Sequence, residues 1–527
     1  MGIYLNQGNT LFAKDKSSEI YVDKSKLIEQ TNKVINTNNQ YISLSRPRRF
    51  GKSMAAHMLA AYYSRGCDSK QLFSDLKIAE TKSFEKHLNK YNVISFDIQK
   101  FLVKTKSIKE MLELMEKKVF KELRKEYGEF IEEDDDFTSA LEHIFTGSGI
   151  PFVFIIDEWD CVLREYKTEF YKQKEYLDYL YTLFKDQPYI ALAYMTGILP
   201  IKKYGRHSAL NMFMECSMEN QRNFAEFTGF TEREVAELCE KYKMDLNTAK
   251  KWYDGYYVRG IEIYNPRSVV LSMTGRDYDN YWTQTETYES LKTPIQLNFD
   301  GLREKVEKML SGEKIVIDTG TFQNDMTSMQ NADDVLTLLI HLGYLTYDFD
   351  TKCCWIPNQE VADEFVRSVK ANNWKEVVNA ISQSEECLRA TLAGDEKTVA
   401  RIIEQTHQEN TSIIKYNDEN SLSCIVTLSY YTAKNKYFVI RELPSGKGYA
   451  DIAFIPRPNE KLPAIVVELK KEQDESIAIA QIQNRQYFDS LKTFSGEIIL
   501  VGINYSSDTN NPEYKRHTCK IKKIIKS

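Results

Sequence analysis

One nine-residue segment combines basic residues, a glycine and a hydroxyl group in a way that suits phosphate binding. Ser45–Ser53 reads Ser-Arg-Pro-Arg-Arg-Phe-Gly-Lys-Ser, follows the apolar run Tyr41–Ser45 and precedes the helical stretch Met54–Tyr63. Backbone N–H groups at a helix N-terminus hold phosphate oxygens, and a lysine in such a loop reaches the outer phosphates. The segment therefore predicts a nucleotide site, in which Lys52 contacts phosphate and Ser53 binds magnesium.

Arg46 departs from the usual pattern of such loops, GxxxxGK[ST], because it stands where the first glycine is expected. A side chain there could strain the loop, or it could bring Arg46, Arg48 or Arg49 close to the phosphates. The sequence leaves both alternatives open. A third hypothesis is that Arg46 makes this part of the chain a scaffold that binds no nucleotide.

A second apolar run, Phe152–Asp157, ends in two acids, Asp157 and Glu158. Phosphoryl transfer needs charge neutralisation and an oriented water, so we expect Asp157 to hold Mg²⁺ and Glu158 to polarise the attacking water. Thr196 closes the next apolar run, where a sensor of the terminal phosphate would lie. For Asp157 and Glu158 the alternative is a strand that ends in a solvated acidic turn. The residues expected to contact nucleotide or its metal are Arg46, Arg49, Phe50, Gly51, Lys52, Ser53, Asp157 and Thr196.

A third group of polar residues, Asp451, Glu468 and Lys470, interrupts two strongly apolar runs near the end of the chain. If the turn between these runs centres between Asn459 and Glu460, antiparallel pairing places Asp451 opposite Glu468. Alternation along a strand puts Glu468 and Lys470 on one face. Two carboxylates then meet beside a lysine.

Carboxylates and a backbone carbonyl are the ligands that Mg²⁺ favours, so Asp451, Glu468 and the carbonyl of Leu469 are the predicted metal ligands. Such a cation activates water toward a phosphodiester, and Lys470 would position that water or stabilise the developing charge. The alternative is a strand-start acid beside a surface ion pair.

The elements that must position these groups indicate an α/β protein of three parts. In residues 1–200, runs at Tyr41–Ser45, Tyr91–Ile98, Phe152–Asp157 and Tyr189–Thr196 alternate with helical stretches, which predicts a parallel sheet covered by helices on both faces. Residues 201–390 are mainly helical, and a hairpin in Gly343–Pro357 between two helices suits a winged-helix-like or lid region. Residues 391–527 read helix, three strands, helix and strand.

Bulk properties set outer limits on function. The 527 residues carry a net charge of -6, so contact with nucleic acid would need a local basic patch such as the lysine-rich C-terminus, for which a solvated tail is the alternative. Nine cysteines without a CxxC pair indicate free thiols in the cytoplasm. We find no signal-peptide pattern and no apolar run long enough to span a membrane. Whether the chain forms a homo-oligomer stays open.

Asp451 and the Glu468-Leu469-Lys470 sequence, in the order α-β-β-β-α-β, resemble the PD-(D/E)XK nuclease superfamily and its restriction-endonuclease-like fold. The resemblance extends to Glu419, which matches an acid on the first core helix, and to Gln481 and Tyr487 on the helix after the third strand. It implies catalytic roles for Glu419 and Gln481. Ala450 replaces the proline that often precedes the aspartate.

The chain as a whole resembles a family of AAA-ATPase-like proteins of anaerobic bacteria with a C-terminal PD-(D/E)XK domain. The matching segments are Tyr21–Lys24, Ser45–Ser53, Thr196–Ile201, Trp252–Tyr257, Tyr264–Ser268 and Glu442–Asp451. The resemblance implies that Arg46 belongs to the family's own form of the loop.

The predicted function is that of an ATP-binding protein, expected to be an ATPase, fused to a Mg²⁺-dependent nuclease that acts on nucleic acid, with DNA favoured. The alternative is an ATP-switched interaction or signalling protein whose nuclease-like part binds nucleic acid without cleaving it.

Overall fold

The structure is a computed structural model of the whole chain. It describes all residues except 1, 202–209, 220–221, 259, 283–290, 292–294, 296–298, 300, 324–328, 372–374, 410–418, 446–447, 458–459, 472–495, 507–516 and 526–527. Two compact units share the chain: residues 1–294 with 316–364, and residues 295–315 with 365–527.

The strands are, in chain order, β1 (Tyr41–Ser45), β2 (Asn92–Asp97), β3 (Phe152–Asp157), β4 (Ile190–Gly197), β5 (Met214–Cys216), β6 (Phe230–Thr231), β7 (Tyr256–Val258), β8 (Ile261–Tyr264), β9 (Ile315–Val316), β10 (Thr346–Asp348), β11 (Cys353–Trp355), β12 (Tyr437–Ser445), β13 (Gly448–Pro456), β14 (Ala464–Lys471), β15 (Glu497–Tyr505) and β16 (His517–Ile525).

The α-helices are α1 (Thr10–Lys16), α2 (Lys26–Val34), α3 (Lys52–Tyr63), α4 (Lys70–Phe73), α5 (Phe84–His87), α6 (Ile98–Leu102), α7 (Ile108–Tyr127), α8 (Phe137–Ser148), α9 (Cys161–Glu165), α10 (Phe170–Phe184), α11 (Glu232–Tyr242), α12 (Leu246–Tyr253), α13 (Pro266–Gly275), α14 (Leu302–Leu310), α15 (Ala332–Leu342), α16 (Gln359–Ala371), α17 (Lys375–Ala393), α18 (Glu396–Glu409) and α19 (Glu419–Ser429). Short 3₁₀ turns include Arg222–Phe227 and Tyr431–Asn435.

A five-stranded parallel sheet in the order β2-β3-β4-β1-β5 forms the centre of the first unit. Neighbouring residues of one strand enter different cores, as Phe154 and Ile155 do, so both faces of the sheet are covered. This explains why the strands are apolar without alternation. The predicted parallel sheet with helices on both faces is confirmed, and its first four strands lie within a residue or two of the predicted bounds.

The division predicted at residues 200 and 390 stays a prediction. β5 lies beyond residue 200 and pairs with β1, and both compact units contain residues of the stretch 201–390. Its earlier helices pack in a core with Ile20 of the first unit, whereas α17 packs against α18 and α19 in the second unit. Apolar faces of helices reveal that they are buried, but not against which neighbour.

The helix–hairpin–helix predicted in the middle region is present as α15, β10, β11 and α16. Thr346 pairs with Trp355 and Asp348 with Cys353 in the hairpin. Asn331 accepts a hydrogen bond from the Asp334 N–H at the start of α15, and Gly343 ends that helix at φ 84°. These caps explain the sharp helix limits.

The second unit contains a five-stranded mixed sheet in the order β12-β13-β14-β15-β16. Only β14 and β15 run parallel; the other neighbours are antiparallel. The order of α19 followed by three strands agrees with the prediction, and the predicted helix at residues 474–491 lies outside the described residues. Three residues of the lysine-rich end, Lys520, Lys522 and Lys523, lie in the edge strand β16, where the sequence suggested a patch or a solvated tail. Lys515, Arg516 and Lys526 lie outside the described residues.

All nine cysteines are free thiols, as predicted. Among the residues that the structure describes, no helix combines the length and apolarity needed to cross a bilayer.

Candidate functional site

The phosphate loop, residues Ser45–Ser53, joins the carboxyl end of β1 to α3. Arg49 and Gly51 adopt left-handed backbone conformations, with φ of 68° and 86°, and α3 begins immediately after Gly51. The free N–H groups at the start of α3 thus face the loop. Lys52 is buried, and its Nζ donates to the carbonyls of Arg46 and Pro47 at 3.0 Å each. Burial lowers the pKa of Lys52.

Arg46 is held in the protein interior rather than at the phosphates. Its guanidinium donates to Thr228 Oγ1 at 2.8 Å, to the Ser45 carbonyl at 2.8 Å and to the Cys216 carbonyl at 2.9 Å. Only 1% of the side chain is exposed, and burial lowers its pKa to about 10. Arg46 therefore ties the loop to β5 and to the segment before β6. Neither loop strain nor phosphate contact, the two alternatives drawn from the sequence, describes this anchoring role.

Asp157, at the carboxyl end of β3, links the phosphate loop to the end of β4. Its Oδ2 accepts a hydrogen bond from Ser53 Oγ at 2.6 Å, and its Oδ1 accepts one from the Thr196 hydroxyl. The strand order explains this meeting, because β4 lies between β3 and β1 and all three end at the same edge. The structure brings together the predicted magnesium ligands Ser53 and Asp157 and the predicted sensor Thr196.

Glu158 follows with a left-handed backbone, φ 53°, and forms an ion pair with Arg164. Arg164 Nε also donates to Asp160 Oδ2 at 3.0 Å, and the same oxygen accepts the N–H groups of Ile198 and Leu199. Burial raises the pKa of Glu158, while Lys52 and Arg164 oppose that rise. The carboxylate predicted to polarise water is thus steered by an arginine.

A cavity of about 630 Å³ opens over the phosphate loop. Its lining includes Lys52, Ser53 and Glu158, and the helical part of the same unit contributes Arg267 at the start of α13. Apolar and aromatic side chains complete the lining, namely Phe12, Ile20, Tyr21, Val22, Phe227 and Phe230. A cavity lined both by residues of the phosphate loop and by apolar side chains suits a nucleotide.

In the second unit, β13 and β14 pair as the turn predicted. Ile452 lies opposite Val467, and Phe454 lies opposite Ile465. One step further along this register, Asp451 faces Glu468. The Asp451 carboxylate accepts the Leu469 N–H at 2.6 Å, so it stands beside the neighbouring strand.

Glu468 and Lys470 share a face of β14, and Lys470 Nζ lies 3.0 Å from Glu468 Oε1. Glu468 is only 1% exposed, and Asp451 is half-buried. Burying carboxylates is costly unless a cation or hydrogen bonds compensate. Their oxygen donors suit a hard divalent cation, with Lys470 as a cationic neighbour, so the residues present fit the predicted metal.

Some predicted residues have no described geometry. Gln481 and Tyr487 lie outside the described residues, and Glu419 starts α19 but its side chain is also outside the description. Sequence reasoning missed Arg164, for which the i,i+4 spacing from Asp160 was a weak signal. It also missed Arg267, for which the sequence offered no signal other than the Asn-Pro-Arg helix start.

The fold and the two sites define the class of protein: a P-loop nucleotide-binding unit joined in one chain to a unit with a restriction-endonuclease-like sheet. Comparison with protein families agrees with this division. Residues 12–205 match the family described as predicted AAA-ATPase, and residues 417–515 match the PD-(D/E)XK nuclease superfamily. The chain thus carries a predicted AAA-ATPase domain and, at its C-terminal end, a PD-(D/E)XK nuclease superfamily domain. These two domain types imply use of a nucleotide and of a divalent metal.

Individual relatives are distant. An uncharacterized protein in the vnfD 5' region of Azotobacter chroococcum mcd 1 is 26% identical over 302 residues, which are 53% of this chain and 54% of the relative. The match thus spans about half of that relative.

Two solved structures show weak likeness. The ORC2 protein of Aeropyrum pernix, in ADPNP–ADP complexes, has a TM-score of 0.31 at 11% identity and covers 69% of this chain and 98% of its own. A DNA replication initiation factor has a TM-score of 0.24 at 8% identity and covers 79% and 96%.

Proposed function

We propose that this protein binds and hydrolyses ATP in its first unit and hydrolyses nucleic-acid phosphodiesters with Mg²⁺ in its second. The observation that carries the nuclease proposal is the register of β13 and β14, which sets Asp451 opposite Glu468 with Lys470 beside them. Free thiols and the absence of a bilayer-length helix in the described part agree with a cytoplasmic location.

In the nuclease reaction, Asp451, Glu468 and the Leu469 carbonyl would hold the cation. When bound, Mg²⁺ supplies charge neutralisation of the phosphodiester and a lower pKa for water. Lys470 orients the attacking water or stabilises the extra negative charge in the transition state. Its pairing with Glu468 keeps the ammonium at the site before substrate arrives.

In the ATPase reaction, Lys52 and the N–H groups at the start of α3 bind the phosphates. Ser53 and Asp157 would hold Mg²⁺, and the Thr196 hydroxyl, bonded to Asp157, reports on the terminal phosphate. Glu158 accepts a hydrogen bond from the attacking water and orients it. The apolar walls of the cavity accommodate the base.

Cleavage of labelled DNA and RNA, single- and double-stranded, with and without Mg²⁺ and ATP, tests the nuclease proposal. We expect Asp451→Ala and Glu468→Ala to reduce cleavage at least about a thousandfold, because each removes a metal ligand. ATP binding should persist in both variants. Cleavage that survives both substitutions would refute the nuclease proposal.

Two measurements test the ATPase proposal: calorimetry of ATP binding and an assay of phosphate release. Lys52→Ala should abolish binding, and Glu158→Gln should bind ATP but turn it over at least about a hundredfold more slowly. If wild-type protein binds no ATP, the first unit is a scaffold.

A protein that binds nucleic acid without cleaving it is the competing outcome of the same experiments. Saturable Mg²⁺ or Mn²⁺ binding that is lost in Asp451→Ala, together with no cleavage of any substrate, would support that alternative.

A further inference from the structure

The last strand, β16, brings a set of lysines to the sheet that carries Asp451 and Glu468. Gly502 of β15 pairs with Glu468 of β14 on one side and with Lys520 of β16 on the other. Residues that face each other across strands share a side of the sheet. Lys520 and, two residues later, Lys522 therefore lie on the same face as the candidate metal site.

Lys523 belongs to the same strand but to the opposite face, because side chains alternate along a strand. Its Nζ donates to the Leu392 carbonyl at 2.6 Å. All three lysines are exposed, but Lys523 lies on one face of the sheet and Lys520 and Lys522 lie on the other.

We propose that Lys520 and Lys522 form a phosphate track, which binds the backbone of the nucleic-acid strand that is cut at Asp451 and Glu468. This inference rests on the proposed nuclease function and names the residues that hold its substrate. The ligand chemistry is a row of phosphodiester anions.

Distances within a sheet make the assignment reasonable. Two strand spacings separate β14 from β16, which is about 9.5 Å. A nucleic-acid strand covers this distance within a few nucleotides. Gly502 has no side chain to stand between the metal site and Lys520. Lysines at this distance can reach phosphates that flank the scissile one.

The charge around the track is compatible with anion binding. Lys520 Nζ lies 3.5 Å from Glu396 Oε1, a long pair with half of the lysine side chain exposed. Exposed pairs of this kind contribute little and exchange easily with another anion. The chain as a whole is acidic, so a local row of lysines is where a polyanion can approach.

Edge-strand lysines also protect proteins from aggregation through their open edge. That role needs charge on the strand but does not depend on which face carries it. Lys523 distinguishes the two explanations, because it carries the same charge on the same strand but lies on the opposite face of the sheet.

The experiment measures binding of a short fluorescein-labelled DNA duplex, its single strand and the matching RNA by full-length protein without divalent metal, at several salt concentrations. Lys520→Gln and Lys522→Gln should each weaken binding roughly two- to fivefold. The double variant should lower the slope of log K against log salt by about 1.8 on duplex. Lys523→Gln is the matched control and should bind as wild type does.

Thermal melting shows whether each variant is folded. Equal losses in all three single variants, or wild-type affinity in the double variant, would overturn the phosphate track while leaving the nuclease proposal intact. Wild-type protein that neither binds nor cleaves any of these substrates at low salt would instead overturn the proposed nuclease function, and the track with it.

Discussion

Arg164 stands between two carboxylates with different tasks. It pairs with Glu158, which faces the nucleotide cavity, and with Asp160, which is fully buried and holds the backbone after β4. Its pKa is raised, because Asp160 and Glu158 together outweigh the burial that opposes its charge. Arg164 therefore orients Glu158 and opposes the rise that burial causes in the pKa of Glu158.

Arg164→Met should move the acidic limb of the ATPase pH profile to higher pH. Burial raises the pKa of Glu158, and Arg164 opposes that rise, so removing the cation lets the pKa climb further. In the proposed mechanism the ionised form of Glu158 is the active one, so we expect activity to be lost at a higher pH on acidification. Steady-state phosphate release across the pH range measures this.

Arg164→Lys is the control, since it keeps the charge but cannot hold two carboxylates with one planar fork. We expect a lower kcat with a pH profile close to wild type. A profile in Arg164→Met that superimposes on wild type would rule out this role for Arg164.

Arg46→Met should destabilise the first unit by about 3 kcal/mol, because it leaves Thr228 and two carbonyls without their buried donor. Urea unfolding measures the loss. Under conditions where the variant is folded, ATP affinity should change much less than in Lys52→Ala. Unchanged stability with lost ATP affinity would instead assign Arg46 to the phosphates.

At the scale of elements, the phosphate loop packs against the helical part of its own unit. The Phe50 ring lies 5.1 Å from the Tyr256 ring, edge to face, and the Tyr256 hydroxyl donates to the Gly343 carbonyl at 2.8 Å. Pro47 packs against Gly343 at the end of α15. Pro47 and Phe50, which the phosphate-loop motif does not specify, thus connect the loop to β7 and α15.

Gly343→Ala and Gly149→Ala form a matched pair that tests this packing. Both glycines end a helix with positive φ, 84° and 68°, so both substitutions strain the backbone by about 1 kcal/mol. An added Cβ at Gly343 would lie 2.6 Å from the Pro47 ring, whereas the space around Gly149 is open. We expect Gly343→Ala to cost about 2 kcal/mol more.

Urea unfolding and ATP titration measure both variants. Reduced ATP affinity in Gly343→Ala alone is the expected companion of the stability loss, because Pro47 must move. Equal free energies of unfolding for the two variants would show that the loop can move away from α15 without a loss of stability.

At the scale of the whole molecule, the chain enters the second unit, returns to the first and then enters the second again. The second unit includes α17, most of which precedes residue 391 and which packs against α18, α19 and the 3₁₀ turn Tyr431–Asn435. Thr391 Oγ1 lies 2.6 Å from the Tyr430 hydroxyl, and Ser384 Oγ lies 3.1 Å from Thr432 Oγ1. Cys387 is fully buried.

A fragment of residues 391–527 should therefore melt less cooperatively and at lower temperature than one of residues 365–527. The shorter fragment loses α17 and exposes the face that α17 covers, which removes several buried side chains at about 2 kcal/mol or more each. Circular dichroism during heating compares the two. Identical melting curves would show that α17 is dispensable for this unit.

The sequence by itself determined the local parts of both sites. Four strands of the first sheet fall within a residue or two of prediction, because uninterrupted apolar runs between helices are typical of strands buried on both faces. The pairing of β13 with β14 follows from the length of one turn, so Asp451 could be set opposite Glu468 in advance. Both depend on residues close in sequence.

The tertiary structure alone decided which distant partners these residues meet. Arg46 finds its acceptors at Cys216 and Thr228, and β16 joins the sheet although its lysines resemble a solvated tail. The same is true of the unit boundaries, which separate helices of similar composition. A local pattern indicates that a side chain is buried or that a segment forms a strand. For Arg46 the choice of neighbour is made by packing across more than a hundred residues, for which no single segment carries the information.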